Sequence, residues 1–167
     1  GEVSVIHSGS FWNITAVIGG VELMNKEKVD IAFFTGDLVN NRATEMSEWG
    51  GVFSKIQAPL GVYSVLGNHD YGDYVKWENQ EAKQKNLKDL IAIHKNMGWE
   101  ILINENRKIK IDGEKLGVIG VENWGAKGRF PKYGKLDIAM QGVNDTAANI
   151  LLSHDPSHWQ AEVFVGY

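Results

Sequence analysis

Short apolar runs of strand length alternate with segments of helical periodicity along the whole sequence, and this alternation most constrains the fold. The run at residues 30–34 is apolar after its first residue, Asp30, as expected for a strand buried on both faces. Such an alternation is typical of an α/β protein. It predicts strands over residues 3–6, 30–34, 61–66, 100–103, 108–111, 116–121 and 149–152, and helices over residues 15–28, 44–56, 77–96 and 136–141.

Size and composition limit the class of protein further. A chain of 167 residues corresponds to one domain at ~100–200 residues per domain. With 43% hydrophobic and 23% charged residues it has an ordinary globular balance. The absence of cysteine excludes disulfides, thiolate zinc sites and a cysteine nucleophile. A net charge of −4 argues against nucleic acid as a partner.

The sequence predicts no targeting or membrane-spanning segment within these residues. No apolar run approaches the ~18 residues that a spanning helix needs, and no signal peptide opens the chain. The first residues lead directly into a predicted strand, as expected either of a chain trimmed of an upstream segment or of a naturally short start.

Polar clusters follow three of the predicted strands directly. They are Gly36-Asp37, Gly67-Asn68-His69-Asp70 and Ser153-His154-Asp155-Pro156, and His7 follows the first strand in the same way. Because the carboxyl ends of strands form the ligand-binding edge of an open α/β sheet, these clusters are expected to converge. Carboxylate, amide oxygen and imidazole together suit manganese, iron or zinc and not a calcium cage.

These motifs, in this order, resemble the calcineurin-like metallophosphoesterase superfamily. The resemblance covers nearly the whole chain and implies a single domain over residues 1–167, with two packed sheets flanked by helices (α/β/β/α). It also implies hydrolysis of a phosphomonoester or phosphodiester by a hydroxide that bridges two divalent cations, Mn, Fe or Zn. A phosphate ester is therefore the expected substrate.

The resemblance carries metal-binding roles to four positions. Asp37 is expected to bridge the two cations, since a carboxylate between two cations is a natural bridge. His7 is expected to bind the first cation. Asn68 and His154 are expected to bind the second.

Catalytic roles fall on two neighbouring residues of the Gly-Asn-His-Asp motif. His69 is expected to hydrogen-bond or protonate the leaving oxygen of the ester, with Asp70 holding its ring. Taken alone, Asp37 suits a helix cap or a turn, and Asn68 with His69 suits a simple turn. His7 could instead be an exposed loop histidine. His154 could instead be a structural histidine whose ring nitrogens are hydrogen-bonded.

Two departures from the family pattern support a rival hypothesis. Val5 stands where the family has an aspartate two positions before His7, and no Gly-His-x-His follows His154. The domain is therefore expected to be C-terminally incomplete, and the first cation to have few protein ligands. The rival is a metal-poor or inactive relative that binds a phosphate ligand or a partner without turnover.

Other classes and residues receive weaker predictions. A nucleotide-binding doubly wound domain and a Ser-His-Asp hydrolase both lack their glycine motifs here. Arg42 suits either a phosphate contact or a solvated loop charge, and Trp124 either a pocket wall or packing. His94 is expected to be a surface or packing residue, and His158 to belong to a helix after Pro156.

The start His7-Ser8-Gly9-Ser10-Phe11 is similar to that of bacterial members which are often preceded by membrane segments. This resemblance implies association with the cell envelope through a segment upstream of these residues. It also implies lipid-linked phosphodiesters as substrates.

Overall fold

The computed structural model describes residues 1–125 and 131–163, apart from the side chain of Val163. Its strands are β1 Glu2–Val3, β2 Ala32–Phe34, β3 Val62–Ser64, β4 Trp99–Ile101, β5 Glu105–Ile111, β6 Glu114–Gly120 and β7 Ala148–Leu152. Its α-helices are α1 Ile14–Lys26, α2 Gly50–Phe53, α3 Gln80–Asn96 and α4 Leu136–Ala139. Short 3₁₀ turns lie at Ser8–Ser10, Ala43–Met46 and His69–Tyr71, and a π turn at Trp159–Val163.

The first four strands form a parallel sheet in the order β1-β2-β3-β4. Successive side chains of a strand point to opposite faces, so Ala32 and Phe34 enter the core beneath the first three helices. Phe33 and Tyr63 face the other way, towards the second sheet. The β2 run is thus covered on both faces, as its apolar sequence predicts.

The second sheet has the order β5-β6-β7, with β5 antiparallel and β7 parallel to β6. Asp112 and Gly113 turn the hairpin with φ angles of 49° and 91°, the left-handed pair that a tight two-residue turn requires. Val118 and Ile150 pack between the sheets, while α4 covers the outer face of the second sheet. This order of layers confirms the predicted α/β/β/α architecture.

Three predicted elements differ from those observed. The helix predicted over residues 44–56 is instead two short turns, Ala43–Met46 and Gly50–Phe53, separated at residues 47–49. Gly50 and Gly51, which have low helix propensity, lie in the second of them. The strand predicted over residues 3–6 ends at Val3, since the backbone becomes left-handed at Val5 and His7, with φ angles of 57° and 48°.

The third difference concerns α1, where the predicted apolar face of Val17, Val21, Leu23 and Met24 is buried only at Val21. Leu23 is 63% exposed.

In the part of the chain that the structure describes, no helix has both the length and the apolar character that crossing a bilayer would require. The single-domain assignment stays a prediction.

Candidate metal centre

The loops after β1, β2 and β3 lie side by side, because the parallel strands that precede them end at one edge of the sheet. Backbone bonds join the first two loops, from the N–H groups of Val5 and His7 to the carbonyls of Gly36 and Asp37, at 3.1 and 3.0 Å. A Cβ on Gly36 would lie 2.8 Å from His154 Nδ1. Glycine is therefore required where the chain segments approach so closely.

The Asp70 carboxylate ties the second and third loops together. It is fully buried and accepts four backbone N–H hydrogen bonds. They come from Gly67, Asp37, Leu38 and Val39, at 2.8, 2.9, 2.9 and 3.3 Å. Burial raises the pKa of Asp70 to about 7, although each of these donors favours the ionised form.

The predicted contact between Asp70 and the ring of His69 is wrong. The two side chains leave the short turn in different directions, with Asp70 entering the interior and His69 facing the site. His69 Nδ1 instead lies 2.8 Å from the carbonyl oxygen of Asn40. A backbone carbonyl therefore sets the tautomer of His69, with Nδ1–H as the donor and Nε2 free.

Asp37, Asn68 and His154 lie together. His154 Nε2 is 3.3 Å from Asp37 Oδ2 and 3.1 Å from Asn68 Oδ1. Burial by itself raises the pKa of the Asp37 carboxyl, but the hydrogen bond and the charge of His154 outweigh it and lower that pKa. Burial likewise lowers the pKa of His154, but Asp37 raises it overall above its ordinary value.

The three candidate ligand atoms of Asp37, Asn68 and His154 require a positive charge between them. His154 Nδ1 lies 2.8 Å from the carbonyl oxygen of Thr35 and donates to it, which leaves a lone pair on Nε2. Nε2 then faces two acceptor oxygens, those of Asp37 and Asn68. Three lone pairs directed at one another are stable only with a proton or a metal cation among them, so these residues fit a divalent metal.

His7 and His69 complete the other side of Asp37. His7 Nε2 is 3.6 Å from Asp37 Oδ2, and ligand atoms of His7, Asp37 and His69 all lie within 4.8 Å of one another. The rings of His7 and His69 meet edge to face, with centroids 4.6 Å apart. Two imidazoles and a carboxylate also fit a divalent cation.

Val5 has no place in this ligand group. Its side chain is 51% exposed, and a β-branched residue with a φ angle of 57° is strained. The structure thus brings together all the predicted ligands, while their roles as ligands stay predictions. The side of Asp37 that faces His7 has fewer donors than the family pattern supplies.

Two residues that position the site were missed in the sequence. Glu45 accepts the backbone N–H groups of Asn40, Asn41 and Arg42, which folds the loop that presents the Asn40 carbonyl to His69. A polar loop with glutamate three residues after Arg42 is a capping signal that could have indicated this contact. Tyr74 accepts a hydrogen bond from Asn68 Nδ2 at 2.6 Å, and no local pattern indicates it.

Other residues singled out in the sequence take packing roles. His158 is fully buried, stacks on Trp124 with ring centroids 4.5 Å apart, and lies 2.9 Å from Glu162 through Nε2. It lies in the short helical turn that follows Pro156 and continues into the π turn, as the sequence predicts. The Arg42 guanidinium lies 4.4 Å above the ring of Trp77.

A polar cleft of about 520 Å³ opens beside His154 and Asn68. Asn123, Ser157 and Gln160 also line it. Amide and hydroxyl groups on its walls suit a polar ligand that extends from the candidate metal centre. The sequence also predicts a glycine-rich loop over residues 123–134, of which residues 126–130 lie outside the described residues.

Metal-type donors at the strand ends of a four-layer α/β sandwich define a candidate metallohydrolase. The chain matches the profile of the family described as calcineurin-like phosphoesterase over residues 6–165. It therefore belongs to the calcineurin-like phosphoesterase family, which confirms the resemblance drawn from its motifs.

Relatives of this chain include two from different kingdoms. It is 29% identical to a putative metallophosphoesterase of Caenorhabditis elegans, over 93% of this chain and 30% of that protein. It is 26% identical to the UDP-2,3-diacylglucosamine pyrophosphatase LpxG of Chlamydia trachomatis, over 76% of this chain and 47% of that protein. The chain thus spans half or less of the length of these relatives.

A solved structure, described as that of a novel archaeal phosphodiesterase, is also similar. It is 19% identical with a TM-score of 0.36, over 76% of this chain and 61% of that one.

Proposed function

We propose that this chain is the metal-binding part of a divalent-metal-dependent phosphoric ester hydrolase. One observation carries the proposal: the lone pairs of Asp37, Asn68 and His154 point at a common place, with His154 Nε2 3.1 and 3.3 Å from the two oxygens. When bound, divalent cations supply Lewis acidity to the phosphate oxygens and acidify water at the site. The donor set suits Mn, Fe or Zn.

The residues of this chain would bind the cations and transfer the proton. Asp37 would serve both cations, with Asn68 and His154 on one side and His7 on the other. His69 holds a proton at Nε2 in its cationic form and gives it to the leaving oxygen. Its Nδ1–H stays on the Asn40 carbonyl throughout, so the ring need not turn during the transfer.

One observation favours a second candidate function. Val5 is half exposed and brings no carboxylate to the His7 side. With His69 acting as the acid and not as a ligand, that side has only His7 and Asp37, fewer than the three protein ligands that a catalytic cation usually keeps. A protein that keeps only the His154 cation would bind a phosphate ligand or a partner without turnover.

The cleft and one relative support a narrower proposal for the substrate class. LpxG is named as a UDP-2,3-diacylglucosamine pyrophosphatase. We propose phosphodiesters or phosphoanhydrides with a polar part that enters the cleft beside His154 and Asn68. Association with a bacterial membrane through an upstream segment is part of the same proposal.

A hydrolysis assay with a mechanistic control tests the function. The purified chain is given Mn²⁺ and either p-nitrophenyl phosphate or bis(p-nitrophenyl) phosphate, beside the variants Asp37→Asn and His69→Gln. We expect Mn²⁺-dependent release of nitrophenol, abolished in Asp37→Asn and little changed in His69→Gln. With phenyl phosphate, whose poorer leaving group needs the proton, His69→Gln should lose about 10²–10³-fold. His94→Leu is the control and should keep full activity, since this histidine is buried in the core against Phe34 and Trp99 and belongs to none of the site loops.

Two other outcomes of this assay would decide against the hydrolase. Phosphate binding without hydrolysis in the wild-type chain supports the second candidate. Equal activity in the wild type and in Asp37→Asn contradicts both.

A further inference from the structure

Tyr74 contacts both a predicted metal ligand and the predicted acid, although it lies in the loop that follows them. Its hydroxyl accepts a hydrogen bond from Asn68 Nδ2 at 2.6 Å, while Asn68 Oδ1 lies 3.1 Å from His154 Nε2. The two ends of one amide group are therefore anchored on opposite sides. The oxygen end is the one that faces the candidate metal centre.

The anchor matters because only the oxygen of an amide binds a cation. Asn68 can turn about its side-chain bonds, and a turn that presents its N–H groups to His154 would satisfy the Nε2 lone pair in place of a metal. The Tyr74 hydroxyl gives those N–H groups a partner on the other side. It thus favours the rotamer in which the oxygen stands at the site.

The ring of Tyr74 makes a second contact. It stacks on His69 with centroids 4.2 Å apart and an angle of 17° between the planes. His7 meets His69 edge-on, and the Asn40 carbonyl holds Nδ1. The Tyr74 ring therefore restrains the plane of the imidazole whose Nε2 faces the site.

A purely structural role explains these contacts poorly. Tyr74 is 44% exposed and belongs to none of the described core clusters. The turn that brings Tyr74 back to the site has a defined geometry. Gly72 has a φ angle of 68°, and its carbonyl accepts a hydrogen bond from the Trp77 indole N–H at 2.7 Å. The loop thus delivers an exposed tyrosine to two polar side chains.

We propose that Tyr74 is a positioning residue, whose hydroxyl holds the Asn68 amide for a cation and whose ring holds His69 for proton transfer. The inference rests on the proposed function. No step of the chemistry passes through Tyr74 itself.

Cation binding measured without substrate tests the hydroxyl. Mn²⁺ is titrated into the wild-type chain, Tyr74→Phe and Tyr63→Phe, by calorimetry and by electron paramagnetic resonance of the free ion. Tyr63 is the matched control, since its hydroxyl donates to the Leu60 carbonyl, just before β3 and away from the site. We expect Tyr74→Phe to weaken Mn²⁺ binding about tenfold, with an unchanged thermal midpoint in metal-free buffer, and Tyr63→Phe to bind as the wild type does.

Turnover with two leaving groups tests the ring. Tyr74→Phe keeps the ring and should lose activity only at subsaturating Mn²⁺, whereas Tyr74→Leu should also lose kcat at saturating Mn²⁺. The further loss in Tyr74→Leu should be larger for phenyl phosphate than for p-nitrophenyl phosphate, since the poorer phenol leaving group needs the proton of His69 and nitrophenol does not.

The outcomes separate this inference from the proposed function. Wild-type Mn²⁺ affinity in Tyr74→Phe, or an equal loss in Tyr63→Phe, overturns the role of Tyr74 and leaves the hydrolase intact. A wild-type chain that neither binds Mn²⁺ nor hydrolyses either ester overturns both.

Discussion

Asp70 is the residue on which the geometry of the site depends most, although it faces away from the site. One buried carboxylate satisfies four backbone N–H groups from two loops, and those loops carry Asp37 and His69. Backbone donors left unpaired in a buried place are costly. The carboxylate therefore holds two strand ends at a fixed separation.

Replacing Asp70 distinguishes its role as acceptor of the backbone N–H groups from the role that the sequence predicts, as partner of the His69 ring. Asp70→Asn puts an amide N–H₂ against backbone donors and should lower the free energy of unfolding by about 3 kcal/mol. The His69 ring should keep its Nδ1–H hydrogen bond to the Asn40 carbonyl, because that bond does not involve Asp70. Urea unfolding measures the first effect and a crystal structure of Asp70→Asn the second, and a rotated His69 ring with unchanged stability would contradict this account.

Gly67 lies so close to Asp37 that a side chain at this position should disturb the candidate metal centre. A Cβ at this position would overlap the Asp37 carboxylate, so Gly67→Ala should displace Asp37 and weaken Mn²⁺ binding at least tenfold. Gly19→Ala on α1 is the control, since a Cβ there meets nothing within 4 Å. The control should bind Mn²⁺ normally and gain about 0.5–1 kcal/mol of stability, and wild-type affinity in Gly67→Ala would refute the claim.

Among the elements, α3 holds an unusual core residue. His94 is fully buried beside Phe34 and Trp99, and neither of its ring nitrogens has a hydrogen-bond partner among the described residues. Burial lowers the pKa of His94 to about 3. The folded protein therefore keeps this imidazole neutral over a pH range in which the unfolded chain would protonate it.

The sign of the pH dependence follows from that difference. The contribution of His94 is fully favourable above its ordinary pKa of 6.5 and is lost as pH falls towards 3, by up to about 1.4 kcal/mol per pH unit. His94→Leu should remove this slope and stabilise the fold by about 1–3 kcal/mol at low pH. Urea unfolding at pH 5 and 8 measures both, with Lys95→Leu as the exposed control, and an unchanged slope in His94→Leu would contradict the argument.

Elements differ in how far the sequence predicts them. The strands β2 and β3, the helix α3 and the Asp112-Gly113 hairpin follow from local patterns, because burial and turn geometry act on adjacent residues. The site could be predicted as a set of strand-end residues for the same reason. The partners of Asp70 and the contact of Tyr74 could not, since each joins loops far apart along the chain or turns back through a loop of irregular backbone.

At the scale of the whole molecule, the four layers explain why the candidate metal centre is where it is. The first sheet supplies three parallel strand ends, and the second sheet brings His154 to them at the end of β7. The contact from His154 to the Thr35 carbonyl spans 119 positions of the chain. The packing of the two sheets is thus what completes the ligand group.

The membership in the calcineurin-like phosphoesterase family and the geometry of the site converge on one central claim: Asp37, Asn68 and His154 bind a divalent cation. Crystals grown with Mn²⁺ and measured near the manganese absorption edge test this most directly. We predict an anomalous peak bonded to Asp37 Oδ2, Asn68 Oδ1 and His154 Nε2, and none at that place in crystals of Asp37→Asn. Manganese found only elsewhere on the protein, or bound there equally in Asp37→Asn, would contradict the claim.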